Sequence, residues 1–222
     1  MDTSTRSRLM FAVLATLSAG CITSSGTREG RIPGERRDCR AAAAQLAASK
    51  ATAQTFGTLA WCDETGPEAL ARVWRGPLPD SARLGKFFFA SGNIRDGRIF
   101  AAAFAAAADS ARPAVERGAG LLVLVAQLDS SVTVTLTQPW RNEPWRAGLA
   151  RESRPVQVPG TTPLPADARA RVTALAKALR VGRPTGAAGL RDALVFAVQA
   201  TELALQRAPR ANAQSRTAHR DR

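Results

Sequence analysis

The sequence predicts an all-α fold, made mainly of helical hairpins, with a small β-hairpin inserted around residues 131–158. The chain of 222 residues is 45% hydrophobic but only 5% aromatic and contains no Tyr, so its core is expected to consist largely of small side chains. Apolar residues recur three and four positions apart along most of the chain, which is the period of a helix with one buried face. An alternating stretch after residue 130 interrupts that pattern and predicts the hairpin.

The first two helices are predicted from composition and from capping residues. Residues 38–56 are rich in Ala, and Asp38 can accept hydrogen bonds from the first backbone amides. The second helix is expected to begin at Thr65, because Thr65 can cap it and Pro67 suits its first turn. The Gly-Pro-Leu-Pro segment at residues 76–79 is expected to end it.

Three more helices are expected in the middle of the chain. Asp80 opens the first of them, which carries three consecutive Phe residues and ends in the Ser-Gly-Asn sequence at residues 91–93. The next helix ends at Asp109, which can also cap the one that follows. Because residues 121–128 of that last helix are apolar nearly all round, it is expected to lie centrally, covered on more than one side.

The helix before Asp109 is expected to bury two aromatic side chains. Phe100 and Phe104 are four residues apart, which places them on one side of a helix, and the apolar neighbour needs cover. Both are predicted to be core residues, whereas Arg98 is expected to face water.

The chain beyond residue 130 combines the hairpin with two further helices. Residues 132–137 alternate Val or Leu with Thr, which is typical of a half-buried strand, and residues 156–158 offer a partner strand. Helical spacing resumes near Asp167 and again over residues 190–205.

A short internal repeat suggests a helical-repeat architecture. Asp80-Ser-Ala-Arg83 recurs as Asp109-Ser-Ala-Arg112, which is 109 minus 80, or 29, residues later. Periods of roughly 30 to 47 residues made of helix pairs are typical of α-solenoids. The segment that follows, Pro113-Ala-Val-Glu-Arg-Gly-Ala119, resembles the second helix of a HEAT-type repeat. The resemblance covers residues 64–129. It departs from the family at Glu116, which stands directly after Val115 where the family has Arg. An irregular helical bundle is the alternative.

The N-terminus has the pattern of an export signal. Arg6 and Arg8 precede an apolar stretch, residues 9–20, that is too short to span about 30 Å of hydrocarbon and ends in small residues. Leu17-Ser18-Ala19-Gly20-Cys21 resembles the lipobox of bacterial lipoproteins, although Ser18 stands where the family usually has Leu. An ordinary signal peptide or an uncut N-terminal anchor is the alternative.

The lipobox resemblance implies cleavage before Cys21, lipid on that cysteine, and attachment to the outer face of a bacterial cell membrane or outer membrane. More than one acyl chain makes such an anchor stable. The chain then divides into a signal peptide (1–20), a flexible tether (21–37), a helical domain (38–206) and a basic, disordered tail (207–222).

Two cysteines would be left in the mature chain once Cys21 carries lipid. In an oxidising compartment Cys39 and Cys62 are most simply a disulfide, with Cα atoms within about 7 Å. Two buried, reduced cysteines are the alternative.

The residue inventory is poor for catalysis. His219 is the single histidine, which argues against Ser-His-Asp and Cys-His devices and against zinc sites, so no cofactor or metal is expected. The acidic residues Asp63, Glu64, Glu68 and Asp80 lie near one another, but carboxylates at helix starts are usually caps or solvated. We assign no catalytic residue.

The charge favours anionic partners, because 31 basic and 18 acidic residues give a net charge of +13. No basic stripe interleaved with aromatics is present, so specific nucleic-acid binding is not expected. Trp140, Arg141, Trp145 and Arg146 form a Pro-Trp-Arg repeat that is a candidate interaction surface, since Trp and Arg concentrate binding energy at interfaces. Inward packing of both tryptophans is the alternative.

Three functions remain open at this level. The first is a non-catalytic interaction or scaffold lipoprotein whose partner is an envelope protein or an anionic polymer. The second is a module for a small apolar ligand or lipid, with a pocket beneath the Phe-rich helix of residues 87–89. The third is an enzyme with carboxylate chemistry, which requires converging acidic groups of raised pKa.

Overall fold

The computed structural model describes residues 35–137, 146–151, 157–183 and 192–217. Within these ranges the chain is mainly helical, as predicted, and carries two small two-stranded sheets. The elements in chain order are α1 (Glu35–Ala47), α2 (Ala53–Leu59), α3 (Gly66–Arg75), α4 (Ser81–Asn93), β1 (Ile94–Arg95), α5 (Gly97–Ala108), α6 (Ala114–Leu128), β2 (Val132–Thr137), β3 (Arg146–Arg151), β4 (Val158–Pro159), α7 (Ala168–Arg180) and α8 (Ala193–Thr217).

The N-terminal segment forms two helices where the sequence predicted one over residues 38–56. Helix α1 begins at Glu35, inside the predicted tether, so Asp38 lies within the helix and does not cap it. Thr52 starts α2 with a capping box: its hydroxyl accepts from the Thr55 N–H, and the Thr55 hydroxyl accepts from the Thr52 N–H. These two threonines are the physical reason for the break, and the Ala-rich composition around them concealed it.

Helices α3 to α6 begin and end close to the predicted residues. Pro67 lies in the first turn of α3, and the Asp80 carboxylate caps α4 by accepting from a backbone amide. Thr65 precedes α3 but makes no side-chain capping bond. Asp109 ends α5 as expected, yet Pro113 rather than Asp109 directly precedes α6.

Helix α6 is the centre of the described core. Its residues 118–127 are all buried, and it contacts α4, α5, α7, α8, β2 and β3, so the predicted central position is confirmed. Its close approach to α5 depends on Gly120, where a Cβ atom would lie 2.9 Å from the carbonyl oxygen of Ala103. A side chain at this position would force the two helices apart.

The predicted burial of the α5 aromatics is right for Phe100 and wrong for Phe104. Phe100 is 1% exposed. Phe104 is only partly buried, and the Arg171 guanidinium of α7 covers its ring at 4.9 Å from the ring centroid. Arg98 also departs from its prediction, because its Nε lies 3.0 Å from the carboxylate of Asp96, which is fully buried. Residue spacing correctly predicted that Phe100 and Phe104 share one face of α5. The packing of α7 determines how much of that face is exposed to water.

The predicted hairpin exists, but its second strand is a different segment. β2 pairs with β3 in antiparallel register, with Val132 opposite Arg151. Of the two residues predicted as its partner, Val156 lies outside the described residues, and Val158 forms a parallel bridge with Ile94, between β4 and β1. The sequence of β3 has little apolar alternation, which is why its strand character was missed.

Helix α7 begins where the sequence predicted, whereas the last helix extends further than predicted. Helix α8, with 25 residues, continues to Thr217 and therefore into residues 207–222, which were predicted to be a disordered tail. Ala, Arg and Gln favour helix, and lengthening an existing helix needs no new nucleation. No helix in the described ranges combines the length and hydropathy needed to cross a bilayer.

An aromatic cluster fills the core beside α3 and α4. The Trp74 ring lies 5.0 Å from the Phe87 ring and 5.7 Å from the Phe88 ring, measured between centroids, and Phe56 completes the group. The Trp74 indole N–H donates to the buried Ser91 hydroxyl at 3.1 Å. Residues 34–222 form one compact unit, and that unit contains the whole of the described core.

Candidate functional site

An open groove of about 360 Å³ lies between α1 and α3. Its apolar surface comes from Leu46 on α1, Val73 on α3, Leu78 in the segment after α3, and Phe56 beneath. A volume of this size lies at the lower end of the range for small-molecule sites. Its mainly apolar lining makes the groove a candidate ligand site.

Helix α1 lines its side of the groove mainly with small side chains. Ala43 and Ala47 flank Leu46 on this face, and neither has a side chain long enough to reach α3. Ser49 follows with φ of 59°, and its N–H donates to the Leu46 carbonyl at 3.1 Å, which turns the chain back toward α2. Small side chains on one wall leave the space between the helices unfilled.

Arg83 braces one side of the groove. Its guanidinium donates to both oxygens of Asp80, at 3.0 Å and 2.8 Å, and to the carbonyl oxygen of Ala51 at 2.9 Å. The side chain thus joins the start of α4 to the loop between α1 and α2.

Arg112 does not line the groove, but it contacts the end of α3. It donates to the carbonyl oxygens of Trp74 and Gly76, at 2.7 Å and 3.2 Å, which are backbone acceptors that the end of α3 leaves without helical partners. Arg83 and Arg112 are the last residues of the two Asp-Ser-Ala-Arg segments. Both arginines of the internal repeat therefore bind backbone carbonyls, and two of these acceptors, Ala51 and Gly76, belong to residues that line the groove.

The groove carries one uncompensated positive charge. Arg83 is paired with Asp80, and Arg75, the last residue of α3, lies 3.5 Å from Glu68. Arg72 lines the groove, is exposed, and makes no hydrogen bond or ion pair with any other described residue. Its guanidinium is available to an anionic group.

A disulfide between Cys39 and Cys62 ties α1 to the turn between α2 and α3. The two Cα atoms are 5.7 Å apart, within the limit expected from the sequence. Among the described side chains of α1, Ala42 alone is fully buried, so apolar packing holds this helix weakly. The disulfide is therefore the main fixed point of the α1 wall of the groove.

Replacing Cys39 with Ser is expected to lower the free energy of unfolding by about 3 kcal/mol, because the bond closes a loop with a sequence separation of 23 residues. Urea unfolding of the variant and of its parent measures the difference. Reduced parent protein and a Cys39→Ser, Cys62→Ser double variant should match the single variant. A free thiol labelled in denatured, unreduced mature protein would contradict the bond.

A second cluster of polar groups surrounds Asp96 at the start of α5. The buried carboxylate accepts from the Arg98 backbone N–H at 2.9 Å, from the Arg98 guanidinium at 3.0 and 3.1 Å, and from the Thr162 N–H at 3.0 Å. Gly160 packs on the same group, since a Cβ atom there would lie 2.5 Å from the carboxylate. Each oxygen is occupied and the space around it is closed, so this cluster has the features of a structural joint and not of a ligand site.

The Asp96 carboxyl has a lowered pKa. Burial on its own would raise the pKa, but the hydrogen bonds from the Arg98 side chain and from the Thr162 and Arg98 amides, together with the Arg98 charge, outweigh it. The hydrogen bond from the Arg83 side chain likewise lowers the pKa of Asp80. Neither carboxyl has the raised pKa that the enzyme hypothesis required. Among the described residues, no three metal-ligating side chains cluster together.

The remaining predicted site residues lie mostly outside the described ranges. Cys21, Trp140, Arg141 and Trp145 belong to this group, and Arg146 is the first residue of β3. The Pro-Trp-Arg surface therefore stays a prediction.

The groove residues were missed at the sequence level. The Gly-Pro-Leu-Pro segment at residues 76–79 was interpreted only as the end of a helix, and Arg72 was not singled out. The repeated Asp-Ser-Ala-Arg segment was the available signal, because both of its arginines reach this region. Comparison with models of protein families, with curated proteins and with solved structures found no match.

Proposed function

We propose that this protein is a membrane-anchored, extracytoplasmic bacterial lipoprotein whose helical domain is a non-catalytic interaction or scaffold module of the cell envelope. The observation that carries the proposal is the Cys39–Cys62 disulfide, because disulfides persist in oxidising compartments outside the cytosol. It complements the lipobox-like sequence that ends at Cys21, which supplies the route to that compartment and the lipid anchor.

The position of α1 suits this arrangement. Cys21 and Glu35 are 35 minus 21, or 14, residues apart, and such a segment reaches at most about 50 Å when extended. The disulfide fixes α1, the first described helix after that segment, to the rest of the helical domain. A mechanical force transmitted through the predicted tether would then reach a helix that the disulfide links covalently to the domain.

The partner of the module is proposed to be an envelope protein or an anionic polymer, in keeping with the net charge of +13. A HEAT-like origin of residues 64–129 belongs to the same proposal. Its support is the equivalent placement of Arg83 and Arg112, each of which binds backbone carbonyls of an upstream segment.

Replacing Cys21 with Ser is expected to abolish acylation and to leave the chain uncut by the lipoprotein signal peptidase. Metabolic labelling with a radioactive fatty acid, followed by immunoprecipitation, measures both effects as loss of label and as a larger apparent mass. Cys62→Ser is the matched control, because it removes a thiol without touching the lipobox and should leave the label unchanged. Equal label in the Cys21→Ser variant and its parent would overturn the proposal.

A lipoprotein that binds a small apolar ligand or lipid is the second candidate function. The pocket expected beneath residues 87–89 is not the basis for it, since Phe87 and Phe88 are fully buried and packed against Trp74. The groove between α1 and α3 supports it instead, because its lining is mainly apolar and it opens to solvent.

A further inference from the structure

We propose that the groove between α1 and α3 binds one long-chain carboxylate, with the carboxylate on the Arg72 guanidinium and the alkyl chain along Leu46, Val73 and Leu78. The inference rests on the second candidate function, which it deepens by naming the chemical class of the ligand. It is independent of the membrane address and of the partner of the scaffold proposal.

The lining of the groove suits an unbranched alkyl chain. Leu46, Val73 and Leu78 are each half-buried and supply apolar surface on three sides, while Phe56 closes the bottom with 1% of its own surface exposed. Burying an alkyl chain here would remove apolar area of both partners from water, with a gain of about 0.8 kcal/mol for each buried methylene group. The groove opens to solvent, so an alkyl chain can reach it from outside the protein.

The unpaired positive charge of Arg72 in the groove matches a ligand with a single anionic head group. The neighbouring cations Arg75 and Arg83 are neutralised by Glu68 and Asp80, whereas Arg72 has no partner among the described residues. A guanidinium offers a planar pair of donors that matches the two oxygens of a carboxylate. One unpaired arginine at the mouth of an apolar groove therefore complements one carboxylate on one chain.

The groove is less suited to a peptide. The lining of the groove consists of helices and loops, so it offers no strand edge to which an extended peptide could add. The backbone carbonyls of Ala51 and Gly76, two residues that line the groove, already accept from Arg83 and Arg112. Main-chain recognition of a peptide would have to displace these bonds.

Isothermal titration of residues 34–222 with dodecanoate, below its micelle concentration, tests the proposal. The parent is expected to bind one dodecanoate, and Arg72→Gln to weaken that binding about tenfold. Lys86→Gln makes the same change of charge on an exposed side chain of α4 that does not line the groove, and it should bind as the parent does. Leu78→Ser should also weaken binding, because it removes apolar lining from a loop and leaves the core intact.

Dodecanol, which has the same chain and no charge, separates the head group from the tail. It should bind the parent and Arg72→Gln equally, and amide chemical shifts should change at Leu46 and Val73 with either ligand. Equal dodecanoate affinity in Arg72→Gln and the parent, or shift changes confined to another face, would overturn the head-group assignment while leaving the apolar-ligand function standing. Absence of saturable binding of both ligands to the parent would overturn that function as well, and labelling of Cys21 would be unaffected by either result.

Discussion

Replacing Asp96 with Ala is expected to lower the free energy of unfolding by about 3 kcal/mol, because backbone donors that it binds lose their acceptor. The carboxylate has no exposed surface and accepts from the Arg98 guanidinium and from the backbone amides of Arg98 and Thr162. Its removal would leave these donors unsatisfied at the point where the segment after β4 meets α5. Urea unfolding followed by circular dichroism measures the loss.

Asp80→Ala is the matched control for Asp96→Ala. Asp80 also precedes a helix and pairs with a nearby arginine, Arg83, but 59% of its side chain is exposed. Its replacement should cost about 1 kcal/mol, the usual loss of a helix cap. Equal losses in the two variants would show that burial of Asp96 does not set its contribution.

The pH dependence of stability provides an independent readout of Asp96. Its folded-state pKa lies below the unfolded value of about 3.9, so its contribution is fully present above that value and is lost as the pH falls through the folded pKa. The parent should therefore lose stability on acidification below about pH 4. Asp96→Asn, which has no charge to titrate, should show a shallower acid limb, and an unchanged limb would contradict the assignment.

Replacing Trp74 with Ala is expected to lower the free energy of unfolding by about 3–5 kcal/mol, as truncation of a large core aromatic does. The side chain is 1% exposed, packs against the Phe87 and Phe88 rings, and donates from its indole to Ser91. The variant would contain a cavity at the junction of α3 and α4 and a buried hydroxyl without its donor. Thermal and urea unfolding should report the same loss.

Trp61→Ala removes an identical side chain from the surface and serves as the control. Trp61 is 58% exposed, so its removal should change the free energy of unfolding by no more than about 0.5 kcal/mol. If Trp61→Ala lowered the free energy of unfolding as much as Trp74→Ala does, Trp61 would have to be covered in solution by a partner or by another segment of the chain.

The sequence by itself determined the helical class and the position of several elements. Asp80 and Pro67 marked helix starts that the structure confirms, and the apolar run of residues 121–128 identified the central helix. These signals are local: a cap acts on the amides of the next turn, and a helix that is apolar on every side must be covered on every side. The sequence also selected Cys39 and Cys62 among three cysteines, on the expectation that Cys21 carries lipid, and the structure joins these two in a disulfide.

Only the tertiary structure decided which polar groups are buried and where the chain leaves open space. Asp96 and Arg98 look like an ordinary helix start, but Thr162, 66 residues further along the chain, completes the site that buries the carboxylate. Phe104 shares a helix face with Phe100, yet Arg171 of α7 covers it in place of a core neighbour. The groove is a gap between α1 and α3, which are separated along the chain by α2 and its two connecting segments. The periodicity of a single helix cannot predict such a gap. Burial and cavities depend on which segments, far apart in the sequence, come into contact. The residue pattern of one segment predicts only which of its faces is apolar.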